Sequence, residues 1–219
     1  MKLQIRCSEL SKIMTDPQKK TEKLSTGAKS LIEDKIKWML LFPDFDSETC
    51  FSPDISSKYL TKGNQCEQDS IDLINEVNFA NYTKNEERKT SKNGILSGSC
   101  DIFTGNSIID IKSSWSLATF PFFKDVAAKD AKLAGYDWQI YGYQLLWEVN
   151  IGQIAYCMTT TPFELCSYED SRIHEVDHID VGKRVVVADF NITNEIIDQI
   201  NQKLIDCNEY FNNRLGDLR

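Results

Sequence analysis

The feature that most constrains the fold is a pair of apolar segments joined by a short polar turn. The turn, Thr104-Gly105-Asn106, has the residue types of a β-hairpin and separates predicted strands over 95–103 and Ser107–Ser113. Two charged residues, Asp110 and Lys112, interrupt the second strand, which is otherwise largely apolar. Because side chains alternate between the two faces of a strand, both charges emerge on the same face. The chain must therefore form a sheet in which one face accommodates a carboxylate beside an ammonium group.

The location of this strand in the sheet decides what the two charges do. Alternation places Ile109 and Ile111 on the face opposite to Asp110 and Lys112. In a central strand the charges are partly buried and need compensating partners, because an unpaired buried charge is costly. In an edge strand they are solvated and protect the edge from aggregation. Asp101, near the turn on the partner strand, adds a second carboxylate, and two carboxylates facing each other across a hairpin suit a hard cation such as Mg²⁺.

The rest of the chain alternates between helical and extended periodicity. Apolar spacing predicts helices over 8–14, 30–41, 58–79, 127–149 and 192–211. Further strands are predicted over 153–161 and 184–190, a loop over 43–53 and an exposed polar segment over 81–93. This order predicts a single α/β (α+β) domain over residues 1–219, with a mixed central β-sheet flanked by helices.

The charge of the chain bears on its possible partners. A net charge of −8 argues against a protein that coats nucleic acid through a basic surface. The charge is uneven, however: residues 1–37 hold nine Lys and Arg against five Asp and Glu, and residues 164–219 hold six against twelve. An enzyme that meets DNA through one basic groove can be acidic elsewhere.

The cysteines and the apolar segments indicate the compartment. Seven scattered cysteines without a Cys-x-x-Cys pair indicate reduced thiols rather than a metal–cysteine cluster. No segment approaches the roughly 20 apolar residues of a membrane helix, and the N-terminus has no pattern of a secretory signal. We therefore expect a cytoplasmic protein that does not interact with membranes.

Several polar motifs occur in a fixed order along the chain. Gly98-x-x-Asp101 precedes Asp110-Ile111-Lys112, and Gln139-x-x-x-Tyr143 follows on a predicted helix. Together they resemble the core motifs of the PD-(D/E)XK nuclease superfamily, of which several exonuclease branches carry the Gln-x-x-x-Tyr motif.

Two upstream segments narrow the resemblance to one branch. Gly63-x-x-x-Glu67 is similar to the helix from which phage lambda-type exonucleases supply a third acidic residue. The segment Arg6-Cys7-Ser8-Glu9-Leu10, followed by Asp16-Pro17, resembles the N-terminal segment of those enzymes. The resemblance spans residues 6–162.

This resemblance implies a restriction-endonuclease-like core and a Mg²⁺-dependent deoxyribonuclease, in which Mn²⁺ can substitute for Mg²⁺. By the resemblance, Glu67, Asp101 and Asp110 ligate or orient the metal, assisted by the backbone carbonyl of Ile111. Asp110 stands where glutamate is commoner, and its shorter reach would bring the metal closer to the strand.

The resemblance also assigns roles to two catalytic side chains. Lys112 would orient or activate the attacking water and offset the negative charge that develops on the phosphate. Gln139 would position Lys112 or the water.

For the substrate, the resemblance implies the ends of linear duplex DNA. In lambda-type enzymes, the basic residue for the DNA 5′ phosphate lies upstream of the Ser-Glu motif, where Arg6 and Ser8 are the nearest candidates here. Lys124, Lys129 and Lys132 follow the motif lysine and are further candidates for phosphate contacts.

Assembly and biological setting follow from the same resemblance. It implies a homo-oligomer in the form of a trimeric ring and a single-strand annealing protein as partner. It also implies a role in recombination or replication of a phage-like genome in the host cytoplasm. Two alternatives stay open: a structure-specific endonuclease of the same superfamily, and a catalytically inactive protein that binds DNA or a recombination partner.

Overall fold

Two β-sheets and the helices around them form the structure, a computed structural model that describes residues 2–42 and 57–218. The strands are β1 (Ile5–Arg6), β2 (Lys89–Thr90), β3 (Leu96–Gly98), β4 (Ile102–Phe103), β5 (Ser107–Ser113), β6 (Ile151–Cys157) and β7 (Val185–Asn191). The helices are α1 (Leu10–Ile13), α2 (Thr26–Leu41), α3 (Lys58–Gln65), α4 (Glu67–Asn78), α5 (Lys124–Ala134), α6 (Tyr136–Trp147), α7 (Phe163–Cys166) and α8 (Asn194–Gly216).

The larger sheet is mixed and has the order β4-β5-β6-β7. Strand β5 runs parallel to β6, from the pair Ser107–Ile151 to the pair Ser113–Cys157, and the other two pairings are antiparallel. The smaller sheet has the order β1-β3-β2. The predicted mixed sheet flanked by helices is therefore confirmed. Because β5 lies between β4 and β6, the edge-strand interpretation of its two charges is wrong.

The two faces of β5 belong to different apolar clusters, as its alternation predicts. Ile109 and Ile111 pack with residues of helix α4, among them Ile71 and Ile74. Ile108, on the other face, belongs to the main core, which includes residues of α6 and α8. Burial on both sides removes the strand from water, so Asp110, which shares the face of Ile108, is only 2% exposed.

The predicted strand over 95–103 is divided into two. β3 joins the smaller sheet and β4 the larger one, with residues 99–101 between them. A single amide side chain supports this break, since Asn85 Nδ2 donates to the carbonyl oxygen of Cys100 at 3.0 Å. The backbone N–H of Asn85 also donates to the carbonyl oxygen of Asp101 at 2.8 Å. These contacts replace strand pairing, and Asp101 therefore lies at the start of the hairpin rather than within a long strand.

Two predicted long helices are also divided. The helix over 58–79 breaks at Cys66, whose φ of −96° and ψ of 10° separate α3 from α4. The helix over 127–149 begins earlier, at Lys124, and breaks at Gly135, where φ is +75°. A left-handed residue ends a helix, and glycine adopts that conformation without strain. Apolar periodicity continues across both breaks, which is why it did not reveal them.

Other boundaries differ by a few residues. Helix α2 begins at Thr26 rather than 30, because the Ser25 side chain accepts a hydrogen bond from Ala28 N at 3.2 Å and caps it. Strand β6 covers Ile151–Cys157 rather than 153–161, β7 ends at Asn191, and α8 continues to Gly216. The predicted first helix consists of a 3₁₀ turn, Cys7–Glu9, followed by α1. The loop predicted over 43–53 lies outside the described residues.

Two further expectations concern cysteines and membranes. Six cysteines of the described residues are buried free thiols, as predicted. Within 2–42 and 57–218, no helix has the length and apolar character needed to cross a bilayer.

We predict that Gly135→Ala destabilises the protein by about 1–3 kcal/mol, because a non-glycine residue is strained at positive φ. A Cβ atom at this position would also lie 2.3 Å from Ser11 Cβ. Gly63→Ala is the matched control, since its added Cβ meets nothing within 4 Å in helix α3. Chemical denaturation should show the control to be more stable than wild type by up to about 1 kcal/mol. Equal stability of the two variants would contradict the role of Gly135.

Candidate active site

The β4–β5 hairpin brings two carboxylates together. Ile102 pairs with Ile109, and continuing this antiparallel register places Asp101 opposite Asp110. Asp101 is fixed by its own neighbour across the hairpin, since its Oδ2 accepts a hydrogen bond from the N–H of Ile111 at 2.6 Å. The two acidic side chains therefore lie next to each other because of strand pairing.

Lys112, Asp110 and Gln139 form one connected polar group. Lys112 Nζ lies 2.7 Å from Asp110 Oδ2 and donates to Gln139 Oε1 at 3.3 Å. Gln139 Nε2 donates to Asp110 Oδ1 at 3.4 Å and to the hydroxyl of Tyr143 at 2.9 Å. Lys112 Nζ also lies 4.3 Å from the centre of the Tyr136 ring, a cation–π distance. Helix α6 thus supplies three side chains that surround the charged pair of β5.

Helix α6 presents these side chains because of its spacing and its close packing. Gln139 and Tyr143 are four residues apart and share a helix face. Gly142 allows the N-terminal turn to approach α6, since a Cβ there would lie 2.5 Å from Leu10 Cδ1 and 2.9 Å from Cys7 Sγ. The N-terminal motif residues and the Gln-x-x-x-Tyr motif are therefore neighbours in space.

Burial and mutual repulsion shift the pKa values of the site. Burial, and then the nearby carboxylate of Asp110, raise the pKa of Asp101 to about 7. Burial, the largest single influence, lowers the pKa of Lys112, but the carboxylates of Asp110 and Asp101 together outweigh it, so the pKa of Lys112 is raised. The lysine is therefore cationic at neutral pH, and the carboxylate pair has excess negative charge that a bound cation can neutralise.

Glu67 reaches the same cleft but not the carboxylate pair. It is the first residue of helix α4 and lines, with Asp101, Asp110 and Lys112, a cleft of about 500 Å³. Its Oε2 accepts a hydrogen bond from Lys84 Nζ at 2.7 Å. Within the part of the chain that the structure describes, no three acidic, histidine or cysteine side chains are grouped closely enough to hold a metal ion.

The donor set nevertheless fits a hard divalent cation. Oδ2 of Asp110 is fully buried and accepts no hydrogen bond, although Lys112 Nζ lies at ion-pair distance from it. The ammonium group balances the charge of this oxygen, whose remaining lone pair is available to a bound cation. Buried polar atoms without a partner are rare, and oxygen donors are the ligands that Mg²⁺ prefers. Asp101, Asp110 and the carbonyl of Ile111 are thus candidates to hold such an ion.

The residues predicted to contact DNA lie outside the cleft wall. Lys124, Lys129 and Lys132 are exposed on α5, which packs against β7 at the far edge of the sheet. Ser8 is exposed in the N-terminal turn, and Arg6 Nη2 lies 3.1 Å from Glu9 Oε1. The structure therefore brings together Glu67, Asp101, Asp110, Lys112 and Gln139 in one cleft. The five residues predicted to contact DNA do not line it.

One lysine beneath the cleft was missed in the sequence. Lys62 in α3 is 1% exposed, and its Nζ donates to the carbonyl oxygens of Trp115 and Thr159 at 3.2 and 2.9 Å and to Thr161 Oγ1 at 2.8 Å. Burial lowers the pKa of Lys62 to about 8. The side chain attaches α3 to the segments that follow β5 and β6. Position 62 faces inward in an amphipathic helix, and this was the one local signal of burial in the sequence. A lysine at such a position does not by itself predict a buried side chain.

Comparison with known proteins finds similar structures but no match by sequence. Neither a family model nor a curated protein sequence matches the chain. The structure is similar to that of a phage related exonuclease from Haemophilus somnus 129PT, with a TM-score of 0.87 and 31% identity over 100% of this chain and 98% of that one. It also shares its fold with an alkaline exonuclease (LHK-Exo) from Laribacter hongkongensis, with a TM-score of 0.62 and 11% identity over 98% of this chain and 91% of that one. The complex of LHK-Exo with dAMP gives a TM-score of 0.63 at 12% identity, with the same coverage.

We predict that Asp101→Asn stabilises the metal-free protein, and that it does so more at pH 8 than at pH 5. The carboxyl of Asp101 has an ordinary pKa of 3.8 and a folded-state pKa of about 7. Between these values the folded state binds more protons than the unfolded state, so its stability falls as pH rises. Asparagine keeps an oxygen for the N–H of Ile111 and carries no charge.

Thermal unfolding in a chelating buffer at both pH values measures this difference. Asp198→Asn, on the exposed surface of α8, is the control and should change the melting temperature by a similar small amount at both. A stabilisation by Asp101→Asn that does not depend on pH would contradict the assigned pKa shift.

Proposed function

As the chain belongs to the family of phage-related exonucleases, we propose that it is a Mg²⁺-dependent nuclease that hydrolyses phosphodiester bonds from the ends of linear duplex DNA. The observation that supports the proposal most directly is the pair Asp110 and Lys112 in a buried central strand, with Asp101 opposite and Gln139 against both. These side chains line one cleft that is open to solvent. A carboxylate pair beside a fixed ammonium group suits hydrolysis of a phosphodiester.

The acidic residues hold the metal in this proposal. Asp101 and Asp110 supply carboxylate oxygens, Ile111 supplies its carbonyl oxygen, and Glu67 contributes from the cleft wall. When bound, Mg²⁺ polarises the phosphoryl group and lowers the pKa of a coordinated water. We expect Mn²⁺ to replace Mg²⁺, and Ca²⁺ to bind without supporting turnover because its coordination geometry is looser.

Lys112 and Gln139 orient the reacting groups. In this proposal the Lys112 ammonium holds the attacking water and offsets negative charge on the phosphate in the transition state. Its interaction with Gln139 and the Tyr136 ring restricts its motion, so little reorganisation is needed when charge develops. Gln139 in turn holds Asp110, which links the lysine and the metal-binding oxygens in one unit.

The resemblance to lambda-type enzymes supports the finer parts of the proposal. Arg6, Ser8, Lys124, Lys129 and Lys132 would contact the duplex at positions remote from the scissile bond, since they lie outside the cleft wall. A ring-shaped homo-oligomer would restrict the cleft to DNA ends. A role in phage recombination or replication, with a single-strand annealing protein as partner in the host cytoplasm, belongs to the same proposal.

We predict that Lys112→Ala lowers kcat on linear duplex by at least about 100-fold, because a preorganised charge at the transition state is lost. Binding of DNA should change little, since the lysine stabilises the transition state more than the ground state. Lys37→Ala is the control, because Lys37 is an exposed lysine that pairs with Asp34 on helix α2. Single-turnover cleavage and equilibrium binding separate the two effects. Turnover at the wild-type rate in Lys112→Ala would exclude the assigned role.

We further predict that, with Mg²⁺, linear duplex is degraded whereas covalently closed circular DNA is spared. Cleavage that requires an end should give mononucleotides progressively from that end, measured with end-labelled DNA. Circles linearised by a restriction enzyme are the matched control. Rapid nicking of closed circles would favour the structure-specific endonuclease, and binding without cleavage of either substrate would favour the inactive protein.

A further inference from the structure

A second lysine contacts the wall of the cleft through Glu67. Lys84 Nζ donates to Glu67 Oε2 at 2.7 Å. The Lys84 side chain is 45% exposed and that of Glu67 is 24% exposed, so the ion pair lies at the boundary between the cleft and solvent. Lys84 belongs to the polar segment predicted to be exposed, and no motif in the sequence indicates it.

The backbone holds Lys84 in place on both sides. Two residues before it, Tyr82 N–H donates to Asn75 Oδ1 at 2.6 Å, and Asn75 Nδ2 donates to the carbonyl oxygen of Tyr82 at 2.9 Å. One residue after it, Asn85 N–H donates to the carbonyl oxygen of Asp101 at 2.8 Å. The lysine is thus anchored beside one of the candidate metal ligands, while its side chain remains free to change direction.

The two lysines of the cleft differ in this freedom. Lys112 is held by Asp110, Gln139 and the ring of Tyr136. Among the described residues, the structure shows the Lys84 ammonium paired only with Glu67, and almost half of the Lys84 side chain is exposed to solvent. An ammonium group on an exposed side chain can exchange one anionic partner for another at little cost, because such ion pairs are weak.

The ion pair also keeps Glu67 away from the other acidic residues. Glu67 lines the cleft with Asp101 and Asp110, yet the three carboxylates are not grouped as a metal site in the described residues. If Glu67 turns toward a cation between Asp101 and Asp110, its Oε2 no longer accepts from Lys84. The ammonium group then loses its hydrogen-bonded carboxylate, and a DNA phosphate can supply the missing negative charge.

We propose that Lys84 is a positioning residue that exchanges partners, pairing with Glu67 in the DNA-free protein and with a DNA phosphate once Glu67 turns to the metal. The inference rests on the proposed metal-dependent nuclease function. It makes metal binding and DNA binding favour each other, because each removes one partner of the same ion pair and coupling between two ligands is reciprocal.

The first experiment measures metal binding without DNA. Mn²⁺ is titrated calorimetrically into wild type, Lys84→Met, Lys84→Arg and the matched control Lys37→Met. Methionine removes the ammonium and its hydrogen bonds, so Glu67 is released and the affinity for Mn²⁺ should rise about two- to fivefold, the range expected for a partly exposed ion pair. Lys84→Arg and Lys37→Met should bind Mn²⁺ as wild type does.

A double substitution separates the exchange from a general effect of charge. In a Glu67→Gln background, Lys84→Met has no carboxylate to release and should leave the Mn²⁺ affinity unchanged. The same gain in affinity in both backgrounds would show that Lys84 acts through its charge alone, and it would overturn the proposal.

The second experiment measures duplex binding in Ca²⁺ at several salt concentrations. Lys84→Met should weaken binding and lower the slope of log Kd against log salt by about one, because one phosphate contact is lost. Lys37→Met should change neither quantity. A merely structural role for Lys84 predicts weaker binding of both the metal and DNA, so tighter metal binding together with weaker DNA binding identifies the exchange.

The outcomes distinguish the inference from the function on which it rests. A wild-type protein that neither binds Mn²⁺ nor cleaves DNA would overturn both. A wild-type protein that cleaves DNA, with Lys84→Met indistinguishable from Lys37→Met, would overturn the exchange and leave the nuclease function intact. Lys84→Met must change both the metal affinity and the salt slope, and a change in only one of them overturns the proposal.

Discussion

The buried ion pair of Asp110 and Lys112 constrains the architecture around it. Removing two charges from water costs several kcal/mol per ion, and their attraction offsets this only with good geometry and further hydrogen bonds. Strand β5 therefore needs a neighbour that supplies polar groups, and helix α6 supplies Gln139, Tyr143 and an aromatic ring. Gly142 lets the N-terminal turn support α6 from behind. The strand, the helix and the turn thus together compensate one charged pair.

The two breaks in the helices serve the same site. The break at Gly135 redirects the chain from α5, which packs on β7, to α6, which lies over the charged pair. The break at Cys66 makes Glu67 the first residue of α4, where a carboxylate is favoured by the helix dipole. It also leaves Lys62 on α3 directed at the ends of β5 and β6.

The electrostatics of the cleft explain how an acidic chain can act on a polyanion. Three carboxylates, Glu67, Asp101 and Asp110, face two ammonium groups, Lys84 and Lys112, and the raised pKa of Asp101 reflects the excess negative charge. A divalent cation, as proposed for this site, would reverse the sign of this local charge. The net charge of −8 therefore argues against a basic coating surface but not against a cleft that becomes attractive to phosphate when a metal is bound.

The sequence alone determined the parts that depend on neighbours a few residues away. The hairpin turn, the two faces of β5 and the order of the motifs were all predictable, because strand alternation and motif spacing are local properties. The tertiary structure decided whether β5 is central, where the long helices and the first strand divide, and that Lys62 is buried. It also paired Glu67 with Lys84, across a separation of 17 residues, and Lys62 with Thr159, across 97. Such contacts depend on how distant elements pack, and no local pattern encodes them, because a lysine has the same helix propensity whether its ammonium group meets water or the carbonyl oxygens at the end of a sheet.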